Sequence, residues 1–177
     1  MHTASEAIMT PMLNLGEMLA TNAQLFPDRI GARDLERQLT FRHWNGRACR
    51  LANALIGLGL GEGDRVAVLA YNALEWVEIY AATAKAGLVM VPINFRLTGL
   101  EIRFIIEDSG ASALIVEDQL VGAIEEIGAD LPIMPQRRII FGGGNLPAGF
   151  HAYEALLAAA SDREPGVHID PADPWAQ

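Results

Sequence analysis

Cysteine and lysine are almost absent from this chain of 177 residues, in which Cys49 and Lys85 are the single examples. One cysteine cannot form an internal disulfide, so the sequence favours a cytoplasmic setting. The other twelve of the thirteen Lys and Arg residues are arginines. Any chemistry that requires a lysine ammonium group therefore depends on Lys85 alone.

The chain also lacks an excess of positive charge and a long uninterrupted apolar run. Its net charge of −9 and its pI near 4.8 argue against nucleic-acid binding and against attraction to anionic lipid. The most apolar stretch, 66–93, contains Asn72, Glu75, Glu78 and Lys85. The N-terminal segment has no cationic start, which a signal peptide requires. We therefore expect no nucleic-acid partner and no membrane span.

Short apolar runs alternate with helical patterns through the middle of the chain. The runs lie at 65–70, 88–91, 113–116 and 138–141. They lack polar alternation, which is typical of strands buried on both faces. Strands separated by single helices predict βαβ units. The sequence therefore predicts an α/β fold with a mostly parallel sheet flanked by helices.

Capping patterns predict where the helices begin. Asn14 and Thr98 are each followed three residues later by a glutamate, as in a capping box. Asn72 is predicted to cap the next helix in a similar way, and Glu75 and Glu78 on that helix are interpreted as solvent-exposed. The helices are predicted over 13–26, 41–58, 73–86, 99–108, 118–127 and 153–160, with a hairpin formed by 30–33 and 38–41.

The sequence divides into three parts. Residues 1–12 form a flexible N-terminus, residues 13–160 form the α/β subdomain, and residues 161–177 are rich in Pro, Asp and Gly. The last segment is predicted to be an exposed linker that leads to the remainder of a longer protein.

Glycines, histidines and the cysteine give no catalytic pattern. The Gly142–Gly144 cluster is followed by Asn145 and not by Lys-Ser or Lys-Thr, so a surface turn is favoured over a phosphate loop. The histidines are not spaced as metal ligands. Cys49 falls in the middle of a predicted helix, where a structural thiol is expected. We predict no catalytic residue and no metal ligand in this chain.

Arg96 is the one candidate for ligand binding. It follows a predicted parallel strand and Pro92, and ligands of open α/β sheets collect outside the carboxyl ends of the strands. A guanidinium group there suits a phosphate or carboxylate. The alternative is a structural ion pair with Asp108 or Glu101.

Several segments together resemble the N-terminal region of the AMP-forming acyl-CoA synthetases. This superfamily includes the acyl- and aryl-CoA ligases, the luciferases and the adenylation domains. The segments are Phe26-Pro27-Asp28, Leu39-Thr40-Phe41, Gly61-x-Gly63-Asp64-Arg65-Val66-Ala67, Asn72-x-x-Glu75, Ala84-Lys85-Ala86-Gly87 and Pro92-Ile93-Asn94-Phe95-Arg96-Leu97. Their order and spacing are specific to the superfamily and not to one substrate. The resemblance implies that the fold is part of the large N-terminal domain of an adenylate-forming ligase.

The resemblance also implies a role for Arg96 and a parent activity. The arginine of the Pro-x-Asn-x-Arg-Leu segment lies near the CoA phosphates in CoA-forming members, which assigns Arg96 to cofactor binding. The parent enzyme would use ATP, Mg²⁺ and CoA to convert a carboxylate, through an acyl-adenylate, to acyl-CoA, AMP and pyrophosphate.

The family's phosphate loop, adenine and magnesium segment, ribose-binding Asp and C-terminal lysine have no counterpart before Gln177. Lys85 lies on a helix among alanines, so it cannot replace that lysine. We expect an N-terminal fragment that is inactive alone and binds no cofactor tightly.

Two other functions stay open. The parent enzyme could transfer its acyl group to a carrier protein, or the chain could be a stand-alone, non-catalytic binding or regulatory module. The expected partner is the remainder of the parent ligase, and the family also allows a homodimer. A fatty acyl substrate is favoured, with aryl and dicarboxylic acids as alternatives.

Overall fold

The computed structural model describes residues 14–169. The predicted flexible segment 1–12 and the end of the predicted linker, 170–177, lie outside the described residues. The helices are α1 Leu15–Leu25, α2 Phe41–Gly57, α3 Glu75–Ala86, α4 Gly99–Ser109, α5 Val121–Ile127 and α6 Tyr153–Ala159.

The strands form a short hairpin and a five-stranded parallel sheet. They are β1 Ile30–Arg33, β2 Gln38–Thr40, β3 Arg65–Leu69, β4 Val89–Ile93, β5 Ala113–Glu117, β6 Arg138–Phe141 and β7 His151–Ala152. The hairpin pairs β1 with β2 antiparallel, and the sheet has the order β4-β3-β5-β6-β7. Every pairing within the sheet is parallel, which confirms the predicted fold class. Strand β7 was not predicted because two residues carry no periodic pattern.

Helices cover both faces of the sheet, and each face has its own core. Alternate residues of a strand face opposite sides, so Val66 and Val68 pack towards α2, α3 and α6, while Ala67 and Leu69 pack towards α4 and α5. Because both faces are covered, the polar residues of the sheet lie at the ends of strands, at Arg65, Glu117, Arg138 and His151, which explains the continuous apolar runs in the sequence.

The predicted caps of α1 and α4 are confirmed, and the predicted cap of α3 is wrong. Asn14 and Thr98 each form a capping box with the glutamate three residues later. Asn72 does not cap α3, whose N-cap position is Leu74. Two tight turns delay the start of the helix, because Trp76 and Val77 donate backbone hydrogen bonds to the carbonyls three residues earlier.

The interpretation of Glu75 and Glu78 as solvent-exposed is also wrong. Glu78 is only 2% exposed, and Glu75 is buried as well. Arg47 of α2 forms an ion pair with Glu78, and Arg37, next to β2, forms one with Glu75. The two arginines are distant in sequence, so helical spacing alone could not show that the carboxylates face them.

The described part of the predicted linker, residues 161–169, runs across α2. Asn53 donates hydrogen bonds to the carbonyls of Ser161 and Arg163. Arg50 forms an ion pair with Asp162. The backbone of this segment is therefore fixed to the subdomain at its start, although most of its side chains are exposed.

Candidate functional site at the carboxyl edge of the sheet

The loops that follow β3, β4 and β5 meet at one edge of the sheet. Strand β3 lies between β4 and β5. The chain therefore places β4 on one side of β3 and then crosses over to place β5 on the other side. Such a reversal of strand order is where open parallel sheets bind ligands, outside the carboxyl ends of the strands. The candidate residue Arg96 lies in the loop between β4 and α4.

Local hydrogen bonds fix the loop that carries Arg96. The side-chain Oδ1 of Asn94 accepts a hydrogen bond from the backbone N–H of Arg96 at 3.0 Å, and its carbonyl accepts one from Leu97 at 3.2 Å. Thr98 then begins α4 with its capping box. The backbone of Arg96 is therefore held, while its guanidinium is left at the surface.

The structure contains neither of the ion pairs that were considered for Arg96. The carboxylate of Glu101 accepts hydrogen bonds from the N–H and hydroxyl of Thr98, both at 2.8 Å. Asp108 lies near the opposite end of α4. Within residues 14–169 the contact observed for the Arg96 guanidinium is with the ring of Phe95, 5.4 Å from the ring centroid.

An exposed aromatic pair adjoins this guanidinium. Phe95 and Tyr71 lie edge to face with their ring centroids 4.8 Å apart, and each is 39% exposed. Tyr71 is held from two sides, because Glu117 accepts its N–H at 2.7 Å and Trp76 donates its indole N–H to the carbonyl at 2.7 Å. A surface of aromatic rings next to a cation can bind planar, negatively charged molecules.

Glu117 connects β5 to this surface and was missed at the sequence level. It ends the fully buried strand β5, and burial raises the pKa of its carboxyl group. In the sequence, the one indication of a role for Glu117 is that a charged residue directly follows the apolar run 113–116. Its bond to Tyr71 pairs residues 46 positions apart, which the sequence does not reveal.

The glycine cluster after β6 is a surface turn, as predicted. The N–H of Gly144 donates to Oδ2 of Asp118 at 2.6 Å, and Gly142 has φ +119. A side chain at Gly142 would collide with Asp118.

Lys85 and Cys49 lie away from the carboxyl edge. The buried ammonium group of Lys85 donates to the carbonyl of Gly16 at 3.1 Å and pairs with Glu164 at 2.7 Å. Cys49 is buried within α2, and burial raises the pKa of its thiol to about 12. Both side chains are buried inside the subdomain.

Within residues 14–169, no group of three or more His, Cys, Asp or Glu side chains is arranged to hold a metal ion. In the same part of the chain, no helix is long and apolar enough to cross a membrane.

The chain belongs to the AMP-binding enzyme family, whose model matches residues 19–174. The resemblance predicted from the sequence is thereby confirmed. The fatty acid–[acyl-carrier-protein] ligase ScoC of Streptomyces coeruleorubidus is 34% identical over 142 residues, which is 80% of this chain and 25% of that protein. The long-chain-fatty-acid–CoA ligase FadD13 of Mycobacterium tuberculosis is 37% identical over 121 residues, which is 67% of this chain and 24% of that protein.

Solved structures agree with this assignment. A Mycobacterium tuberculosis fatty acyl CoA synthetase is 30% identical, with a TM-score of 0.77 over 92% of this chain and 32% of its own. An anthranilate CoA ligase, AuaEII, shares the fold with a TM-score of 0.87 over 98% of this chain and 33% of its own, at 24% identity. The chain spans about a quarter of the length of the two curated relatives above.

Proposed function

We propose that this chain is the N-terminal part of an AMP-forming ligase that activates a fatty acid with ATP and transfers the acyl group to coenzyme A. The observation that carries the proposal is the family match together with two similar fatty-acid ligases, FadD13 and ScoC. The main partner of the chain is the remainder of that ligase. The setting is cytoplasmic, and the parent enzyme can form a homodimer.

Arg96 is proposed to bind the phosphates of coenzyme A. Three observations support this role. Arg96 follows a parallel strand, Asn94 fixes the backbone of its loop, and the guanidinium of Arg96 forms no ion pair within the described residues. A guanidinium presents several N–H donors that match phosphate oxygens. Coenzyme A carries phosphate groups that such a cation can bind.

The adenylation step is assigned to the rest of the parent ligase. The one lysine of the chain is buried and paired with Glu164, so it is not available to stabilise a phosphate. The part of the chain described here is therefore proposed to form a scaffold and one side of the acceptor site.

A carrier protein is the second candidate acceptor, because ScoC is a ligase that uses one. The two acceptors are distinguished by assaying the parent ligase with a fatty acid, ATP and either coenzyme A or a phosphopantetheinylated carrier protein. Thioester formation with coenzyme A supports the proposal, and thioester formation with the carrier alone replaces it.

The role of Arg96 is tested in the same assay. Arg96→Ala is expected to raise the KM for coenzyme A about tenfold, the cost of one charge-assisted hydrogen bond, and to leave acid-dependent ATP–pyrophosphate exchange unchanged. Arg163→Ala removes another exposed arginine and serves as the matched control. The 177-residue chain alone is expected to show no pyrophosphate exchange, and detectable exchange would contradict its assignment as a scaffold.

A further inference from the structure

Residues 161–169 form a strap that runs from the end of α6 across α2 to the end of α3. The start of the strap is fixed to α2, as described above. At its far end, the side chains of Val167 and Ile169 lie 3.7 and 3.6 Å from the position that a Cβ atom would take at Gly87. Gly87 precedes β4, whereas Arg96 follows it, so this end of the strap lies at the amino edge of the sheet.

The middle of the strap is held by the single lysine of the chain. The ammonium group of Lys85 donates to both carboxylate oxygens of Glu164, at 2.9 and 2.7 Å, and to the carbonyl of Gly16, at 3.1 Å. An ammonium group has three N–H donors, which these three acceptors satisfy. The side chain of Lys85 is only 2% exposed. One buried cation therefore joins α1, α3 and the strap.

The neighbours on both sides of Lys85 favour this contact. A Cβ atom at Gly16 would lie 2.7 Å from Cγ of Lys85, closer than side-chain carbons normally approach, so glycine permits the close packing of α1 against α3. The carboxylate of Glu164 also accepts hydrogen bonds from Nδ2 of Asn45, at 3.0 Å, and from the thiol of Cys49. Burial alone would raise the pKa of Glu164, but the hydrogen bonds from Lys85 and Asn45 outweigh burial and lower it.

The two ion pairs of the strap differ in exposure. A buried ammonium group is costly without an acceptor of opposite charge, so the position of Glu164 is coupled to that of Lys85. The pair between Arg50 and Asp162 has side chains that are 35% and 60% exposed, and such pairs contribute little. Of these two charged contacts, the one at Lys85 is therefore expected to contribute more to the position of the strap.

We propose that Lys85 is a positioning residue of the parent ligase, which acts through Glu164 to fix the strap and the chain that continues from it. The inference rests on the proposed function, in which adenylation belongs to the rest of the parent ligase, and extends it by giving the single lysine a role. A misplacement of about 1 Å can lower the rate of a catalysed step a hundredfold. A displaced strap is therefore expected to slow adenylation, whereas the proposed acceptor site at Arg96 lies at the opposite edge of the sheet.

Cys49 reports the position of the strap in the 177-residue chain, because it is the single cysteine and is buried beside Glu164. The probe is its reaction with methyl methanethiosulfonate, followed by mass spectrometry. Lys85→Met and Glu164→Gln are each expected to raise the rate about tenfold or more, and the matched control Asp162→Asn less than about twofold. Opening of the strap exposes little surface, so an increase that persists unchanged at low urea concentrations distinguishes it from global unfolding.

The two half-reactions of the parent ligase distinguish positioning from a general loss of structure. Lys85→Met and Glu164→Gln are each expected to lower the kcat of acid-dependent ATP–pyrophosphate exchange about tenfold or more. Thioester formation from a supplied acyl-adenylate and coenzyme A is expected to stay within about twofold of the wild type. The double variant is expected to lose no more than the stronger single variant, because both changes break one contact.

The outcomes separate this inference from the proposed function. An unchanged Cys49 rate in both variants would overturn the proposal, and Glu164→Gln alone decides if Lys85→Met does not fold. A faster Cys49 rate with unchanged pyrophosphate exchange, or equal losses in both half-reactions, would make Lys85 a purely structural residue and overturn its positioning role. If the wild-type parent ligase shows no acid-dependent exchange, the proposed function and the positioning role fail together, while the Cys49 rate still decides whether Lys85 holds the strap.

Discussion

Charged side chains have opposite environments in two regions of this molecule. At the interface of α2, α3 and α6, Glu78 is buried between Arg47 and the hydroxyl of Tyr153. At the carboxyl edge of the sheet, Arg96 and Arg33 extend from loops or strand ends, and neither is ion-paired within residues 14–169. The first region uses its charges to hold helices together, and the second leaves its cations accessible.

Solvation explains the difference. A buried charge is costly unless a partner of opposite charge and further hydrogen bonds compensate for lost water. Even with Arg47 and Tyr153 as partners, burial raises the pKa of Glu78 above its ordinary value. A guanidinium at the surface keeps its water and needs no partner. An exposed, unpaired arginine on a fixed loop at the carboxyl edge of the sheet is therefore a better indicator of ligand binding here than a perturbed buried carboxylate.

The largest effect is expected when the buried interface loses its cation. Arg47→Ala leaves Glu78 buried without a charged partner and also removes the pair with Glu154. We expect a loss of roughly 3 kcal/mol in the free energy of unfolding, measured by urea denaturation. Arg42→Ala breaks an ion pair with Asp28 in which both side chains are exposed, so a loss below about 1 kcal/mol is expected. Equal losses would remove the proposed distinction between buried and exposed pairs.

Acid is expected to weaken the contact between the hairpin and α3. Burial alone would raise the pKa of Glu75, but its bonds with Arg37 outweigh burial and lower the pKa below its ordinary value of 4.5. The folded protein therefore binds this proton less readily than the unfolded chain does. The resulting stabilisation is complete above pH 4.5 and disappears as the pH falls through the lowered pKa.

The free energy of unfolding of the wild type and of Glu75→Gln is measured by urea denaturation at several pH values between pH 7 and pH 3. The wild type is expected to be more stable by about 1 kcal/mol at pH 7, because Arg37 is partly exposed, and the difference is expected to shrink at low pH. Glu125→Gln changes an exposed carboxylate on α5 and controls for the loss of charge. A difference that grows on acidification would contradict the assigned direction of the shift.

Helix caps at the carboxyl edge are expected to have intermediate effects. Thr98→Ala removes the capping box of α4 and is expected to cost about 1 kcal/mol of stability. Asn72→Ala is expected to change stability by less than about 0.5 kcal/mol, because Asn72 does not cap α3. Thermal unfolding of the two variants checks both values. An equal loss from Asn72→Ala would restore the capping role that the structure contradicts.

These two positions show what the sequence could predict about the fold. Periodic apolar runs and local capping boxes depend on neighbours within a few residues, so the parallel sheet and the caps at Asn14 and Thr98 were predicted correctly. The start of α3 depends on Trp76 reaching the carbonyl of Tyr71 and on Glu75 pairing with Arg37, 38 residues away. The Arg37–Glu75 pair is a tertiary contact, and the local pattern at Asn72 carries no sign of it.

The candidate site divides in the same way. Arg96 could be proposed from the sequence because its motif and its place after a strand are local features. Tyr71 and Glu117 contribute through a contact between separate βα units, because Glu117 ends β5 and Tyr71 follows β3. Such a site exists only after the strands are ordered in the sheet, and the sequence predicts the strands but not their neighbours.

The smallest effect on stability is expected at Arg96. Arg96→Ala removes a guanidinium whose observed contact is the ring of Phe95, so the free energy of unfolding is expected to change by less than about 0.5 kcal/mol. In the parent ligase, the same variant is expected to raise the KM for coenzyme A about tenfold, whereas Arg47→Ala is expected to lose stability first. Urea denaturation of the chain and the acceptor assay of the parent ligase, performed with both variants, measure the two properties separately. A large loss of stability from Arg96→Ala would mean that Arg96 is a structural residue like Arg47, and the carboxyl edge would then offer no distinct ligand-binding cation at that loop.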